Sequence, residues 1–232
     1  SYLPWISLFV ISSFFMGLLL GKLLGIQHRI AFLLSAGAAI CGGTAMAAIA
    51  PIIKAKPQEL MVAMTIVFLL NALAIIVFPI MGHYLEMTNF QFGAWSALAI
   101  HDTSSVVGSA LTYSDESAQV AATLKLGRTI WIIPLILITN WVFNRETEAT
   151  KFPRFILFFI LAILLNTLFN FNGQILDILK LSSQSFLMLG LFCIGTQFKV
   201  QELKAISGRP LILALLLWLM VIPSAYWLVT YF

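Results

Sequence analysis

The chain has 232 residues, of which 61% are apolar and only 9% charged, with a mean hydropathy of +1.00. A soluble domain carries about 25% charged residues, and a chain this small cannot hide so large an apolar share from water. A water-soluble fold and a β-barrel, which needs strict alternation, are therefore excluded in favour of an all-α polytopic membrane protein. The net charge of +4 comes without any basic run or patch, so the expected partner is the lipid bilayer and not nucleic acid.

About 20 apolar residues cross a bilayer as a helix. In chain order, stretches free of Asp, Glu, Lys and Arg are 1–21, 30–53, 60–85, 155–176, 181–198 and 210–232. A further one, 129–144, extends back through 117–124 with Lys125 and Arg128 between, and 87–114 is apolar except for Asp102. The first stretch lacks the basic n-region of a signal peptide and is too long for its apolar core. It opens directly in apolar sequence without Met, so upstream segments are expected in the native chain. Cys41 and Cys193 both lie in apolar stretches, which argues against a disulfide framework.

Two stretches predict broken helices. In 30–53, an apolar half meets Cys41-Gly42-Gly43-Thr44 before a second half; in 87–114, Phe92 to Ile100 meets His101-Asp102-Thr103-Ser104-Ser105. Gly-Gly is a poor helix interior, and Asp, Thr and Ser favour caps. Backbone broken at mid-depth is tolerated only inside protein or beside a water-filled cavity. The breaks also align with each other, and the spans after them both reach an Ile-rich run ending in proline, at Pro79 and Pro134. Residues 30–82 and 90–143 therefore form a candidate repeat within a single transmembrane domain, 1–232.

Loop charges set the orientation. If both broken segments re-enter as hairpins, ten loop cations fall on the cytoplasmic side and one outside; if both cross, the split is eight to three. The positive-inside rule favours hairpins. The expected topology is about six transmembrane helices plus two re-entrant hairpins of opposite orientation, the inverted-repeat plan of many secondary transporters.

Three charges are left without a loop: Asp102, Lys125 and Arg128. A charge at membrane depth costs about 2.5–3.5 kcal/mol even on a lenient scale. Asp102 can cap the half-helix that begins at Thr103, couple to H⁺ or Na⁺, or do both. Lys125 and Arg128 share a helix face at i and i+3. They either snorkel to the interface or meet Asp102 or a bound anion. The half-helices after the breaks point N–H groups and positive dipole ends inward. With the hydroxyls of Thr44, Thr103, Ser104 and Ser105 and close backbone approach at Gly42 and Gly43, they predict an anion site together with Lys125 and Arg128. Tight packing explains the two glycines equally well. His101 is either a ligand or proton shuttle, or a polar residue flanking the break. Asn71 either lines the same cavity or bonds between helices. Gly17, Gly21 and Gly25 predict helix packing. Trp5, Tyr84, Trp141, Trp218, Trp227 and Tyr231 suit interfacial belts, while Thr196 and Gln197 suit a cap. No cofactor or metal site is expected.

Ala39-Ile40-Cys41-Gly42-Gly43-Thr44-Ala45, Ala50-Pro51-Ile52-Ile53-Lys54-Ala55, Ile100-His101-Asp102-Thr103-Ser104-Ser105-Val106-Val107 and Lys125-Leu126-Gly127-Arg128 occur in that order. Together they resemble the YeiH family of bacterial inner-membrane proteins, conserved hypothetical proteins sometimes labelled sulfate exporters. The likeness covers nearly the whole chain, although members usually carry Thr where Gly127 stands here. It implies a polytopic inner-membrane secondary transporter with further segments upstream. The expected function is transport, as an exporter, of a small inorganic or sulfur-containing organic anion such as sulfate. Coupling would be to H⁺ or Na⁺, with a homo-oligomer an open alternative. The rivals are a cation/proton exchanger centred on Asp102 and, well behind it, an intramembrane enzyme. Adjacent His101 and Asp102 make a poor relay, and there is no nucleophile motif.

Overall fold

The computed structural model describes residues 3–143 and 208–231, with isolated helical positions between 161 and 189. The chain divides into two units, residues 1–145 with 206–232, and residues 146–205. In the second unit the described positions are helical, and Ser185 Oγ donates to the Leu181 carbonyl at 3.0 Å. The expected spans 155–176 and 181–198, and Thr196 and Gln197, lie mostly or wholly outside the described residues.

Among the described residues the first unit is entirely helical. Among the described residues, four segments are long and apolar enough to cross a membrane: Pro4–Leu23, Pro57–Tyr84, Asp115–Phe143 and Gly208–Thr230. Helix α1 (Leu3–Leu23) packs on α2 (His28–Ala39) through the predicted glycine face. A Cβ on Gly17 would collide with Ser35 Oγ, and one on Gly21 would stand 2.5 Å from Ala31 Cβ. Gly25, the third of that series, instead ends the helix with φ +63°, a conformation glycine adopts freely.

Both predicted breaks are present, and the chain doubles back at each. After α2 it turns through Ile40–Gly42 into the short α3 (Gly43–Ile49), with Gly42 at φ +64°. Gly42 N–H donates to the Gly37 carbonyl at 2.8 Å, and the Met46 side chain lies against Gly37, 3.1 Å from where a Cβ would be. In an unbroken helix those residues would be about 13 Å apart along the axis. The segment also ends where it began. Arg29 of α2 pairs at 4.0 Å with Glu59, at the start of α4 (Pro57–Tyr84). Pro57 opens α4 at its first position, where its missing N–H costs nothing, and Glu59 accepts the Lys56 N–H at 2.7 Å.

The second break mirrors this from the other end of α4. Helix α5 (Asn89–Ala99) starts from a reciprocal capping box between Thr88 and Gln91. Helix α6 (Thr103–Tyr113) returns to the same end: the Tyr113 ring stacks on Phe92 at 4.0 Å, and its hydroxyl donates to the Met87 carbonyl. Gly82 of α4 lies beside Phe92, leaving no room for a Cβ. One broken segment thus packs from the Glu59 end of α4 and the other from the Gly82 end.

Ser114 caps α7 (Asp115–Thr129), accepting from Ser117 N–H at 3.0 Å. Helix α7 runs beside α5: Asn89 Nδ2 donates to Glu116 at 2.9 Å, and a Cβ on Gly93 would meet the Ser117 carbonyl at 2.5 Å. The predicted 117–143 span is interrupted at Ile130–Trp131 before α8 (Ile132–Phe143). Helix α9 (Gly208–Thr230) buries a stripe of Leu213, Leu217, Val221 and Ala225 at helical spacing. Trp218 belongs to this stripe and not to an interfacial belt: it is buried, and its indole N–H donates to the Ala99 carbonyl at 3.2 Å. Trp5, Tyr84, Trp141, Trp227 and Tyr231 are exposed.

Candidate functional site at the crossing of the two breaks

The two breaks meet. A Cβ on Gly42 would lie 3.5 Å from the Asp102 backbone, so glycine there serves both the positive φ and the close approach. Helices α3 and α6 begin at this crossing. Helix α3 starts from Gly42, which has no side chain to cap it, and in its first turn the Ala45 N–H meets the Cys41 thiol. Helix α6 is capped by Asp102, whose carboxylate accepts from Ser105 N–H at 3.2 Å, from Ser105 Oγ at 3.3 Å and from Ser104 Oγ. Asp102, Thr103 and Ser104 are half-buried and Thr44 is exposed, whereas Gly42, Gly43 and Ser105 are buried. Gly43 packs against Phe68, 3.0 Å from where its Cβ would be. The accessible polar side chains at the crossing are therefore Thr44, Asp102, Thr103 and Ser104.

Lys125 and Arg128 are nearby but serve a role the sequence reading did not foresee. Arg128 Nε donates to the Ala39 carbonyl at 2.7 Å and Nη2 to Ala38. Its Nη1 donates to Leu98 at 2.6 Å and Ala97 at 3.2 Å. Lys125 Nζ donates to Ile100 at 2.7 Å and to Ala97 at 3.4 Å. The last carbonyls of a helix have no intrahelical partner and carry its negative dipole end. Here α2 and α5 both end in the interior, and α7 supplies the cations that close them. One guanidinium thereby ties both half-helices together, with the Phe9 ring 5.7 Å from its centre. Neither cation snorkels: Lys125 is 0% and Arg128 1% exposed. Among the described residues neither pairs with a carboxylate, the ion pair there being Arg29–Glu59.

His101 is buried beside this clamp, and its backbone N–H donates to Asn71 Oδ1 at 3.3 Å. Asn71 thus bonds between helices, one of its two expected roles. Cys41 is a free, buried thiol. Among the described residues no group of three or more His, Cys, Asp or Glu could hold a metal. The residues missed from sequence are Trp218 and the carbonyls of Ala38, Ala39, Ala97 and Leu98. The spacing of Trp218 with Leu217 and Val221 fits a packed face and an interfacial belt alike; the carbonyls belong to the backbone and leave no side-chain signature.

The family described as conserved hypothetical protein 698 matches residues 3–214. A UPF0324 membrane protein of Bacteroides thetaiotaomicron is 41% identical over 91% of this chain and 65% of its own length. One from Porphyromonas gingivalis is 43% identical over 92% of this chain and 67% of its own. One from Shewanella oneidensis is 38% identical over 96% of this chain and 71% of its own. The chain spans about two thirds of the length of such relatives. No solved structure matches it.

Proposed function

We propose, since this chain belongs to the conserved hypothetical protein 698 family of UPF0324 membrane proteins, the YeiH family, that it is the core of a multi-pass secondary transporter for a small anion, with sulfate or a sulfur-containing organic anion as substrate. The broken segments are re-entrant hairpins in this reading, each leaving and returning at one end of α4, and six full spans complete the fold. The observation that carries it is the crossing itself. The N-terminal ends of α3 and α6 converge where Gly42 meets Asp102, while Lys125 and Arg128 neutralise the C-terminal ends of α2 and α5. Two helix N-termini bring their positive dipole ends to this point in a low-dielectric interior. That favours an anion at Thr44, Thr103 and Ser104 without direct contact from Lys125 or Arg128. Asp102 already occupies the α6 N-terminus as a built-in anion, which makes it the group through which H⁺ or Na⁺ couples to the substrate.

A ligand that binds only the folded state raises stability, by about 2.7 kcal/mol at a hundredfold excess over Kd. Sulfate and thiosulfate are expected to raise the melting temperature of the purified protein where chloride does not. The shift should depend on pH or Na⁺, and Asp102→Asn is expected to abolish that dependence. An unchanged melting curve across these anions overturns the reading.

A cation/proton exchanger centred on Asp102 is the second reading. It is favoured by the use of Lys125 and Arg128 as structural counter-charges on backbone carbonyls. Flux in proteoliposomes separates the two: Na⁺ or K⁺ movement without anion dependence supports exchange.

A further inference from the structure

Among the described residues, five buried polar atoms of α4, α5, α6 and the tip between α5 and α6 have no hydrogen-bond partner: Asn71 Nδ2, both ring nitrogens of His101, Ser96 Oγ and Ser109 Oγ. Their residues are 1%, 2%, 0% and 0% exposed respectively. They come from α4, from the tip joining α5 to α6, from α5 and from α6. A polar atom left unsatisfied in the interior bears its full desolvation penalty, so the cluster calls for a bound ligand.

The placement is linear. Phe92 stacks on Tyr113 across the α5–α6 hairpin. That antiparallel register sets Ser96 opposite Ser109 one turn further in, and the tip at His101 one turn beyond. At the far end the Tyr113 ring lies between Phe92 at 4.0 Å and the exposed His83 at 4.4 Å. The line therefore runs from His83 and Tyr113, past Ser109 and Ser96, to His101 and Asn71.

The donor set selects the ligand. It is an imidazole, an amide N–H₂ and two hydroxyls, which offers both donors and acceptors and no formal charge. A sodium ion needs several oxygens, but Asn71 Oδ1 is held by His101 N–H and two hydroxyls remain. An anion would find the hydroxyls and one amide, with the nearby cations turned to carbonyls. Water, which makes two to four bonds and donates and accepts at once, fits every member.

We infer that the seam between α4, α5 and α6 binds ordered water, which joins His101 to the end of the hairpin at Tyr113 and His83. This deepens the transport reading and rests on it for its purpose: the water file is the route by which a coupling proton reaches the neighbourhood of Asp102. A neutral imidazole accepts a proton at one nitrogen as it releases one from the other, so His101 passes protons without holding charge. The charged and titratable groups around it are Lys125 and Arg128 of α7, Asp102 beside it in sequence and Cys41 at the tip of the other break.

The test uses the intact protein in bilayers with ¹⁵N-labelled histidine; there are three histidines to assign. In water-edited solid-state NMR, the His101 ring is expected to gain polarisation from water nearly as fast as His83. Ser109→Val, which fills the file with a methyl group, is expected to slow that transfer at least fivefold at His101 and leave His83 unchanged. Should Ser109→Val fail to fold, the Ser96→Ala, Ser109→Ala double variant is expected to slow it at least twofold. A His101 ring that receives no water polarisation in the unmodified protein overturns the inference, as does equal transfer in the folded variant. Sulfate-induced melting shifts measured on the same variant report separately on the anion site, which contains none of these four residues.

Discussion

Replacing Arg128 by alanine is expected to lower the melting temperature of the purified protein by about 10 °C or more. The side chain closes four carbonyls at once, Ala38 and Ala39 on α2 and Ala97 and Leu98 on α5. Removing one partner from a buried charged network costs about 3–5 kcal/mol, and in a protein of this size each kcal/mol moves the midpoint by about 2–4 °C. Arg128→Lys should recover less than half of the loss, because an ammonium is a point donor and cannot fork across two helix ends. A melting point within about 2 °C of the parent would show that the clamp carries no load. Reduced sulfate binding in Arg128→Ala would follow from loss of the crossing geometry as readily as from loss of charge. The anion assignment therefore rests on the contacts at Thr44, Thr103 and Ser104.

Gly93→Ala is expected to destabilise the protein by about 1–3 kcal/mol, and Gly127→Ala to stabilise it by up to about 1 kcal/mol. The chemical change is the same and the helices are neighbours. A Cβ on Gly93 would sit 2.5 Å from the Ser117 carbonyl, a backbone atom that cannot rotate away, whereas one on Gly127 meets nothing within 4 Å. The clash in α5 would push α7 outward, and α7 carries Lys125 and Arg128 to the carbonyls of Ala97, Leu98 and Ile100. The first variant should thus also weaken the clamp. Thermal melts of both variants check the pair, and two shifts of equal sign would contradict the close α5–α7 contact.

The positions of the breaks were readable from residue type. Gly42 adopts a positive φ that disfavours other residues, and Asp102 followed by Thr103, Ser104 and Ser105 is a cap that a helix interior does not tolerate. The glycine face of α1 was readable for the same kind of reason, since a spacing of four places small residues on one line. Trp218 was misjudged because an aromatic residue in an apolar helix fits an interfacial belt and a packed core alike. Only the neighbouring α5 end, whose Ala99 carbonyl accepts the Trp218 indole N–H, decides between them.

What the sequence by itself determined is the environment and its exceptions: a helical membrane protein in which Asp102, Lys125 and Arg128 needed an explanation other than solvent. Composition and local stereochemistry suffice for that, because desolvation of a charge and strain at a cap act on single residues. Which partners those charges take was decided by tertiary structure alone. The carbonyls that bind Lys125 and Arg128 exist in every peptide unit and become acceptors only where two broken helices end side by side in the interior. That convergence joins residues up to 90 positions apart. It depends on how α2, α5 and α7 pack against one another, which no local pattern encodes.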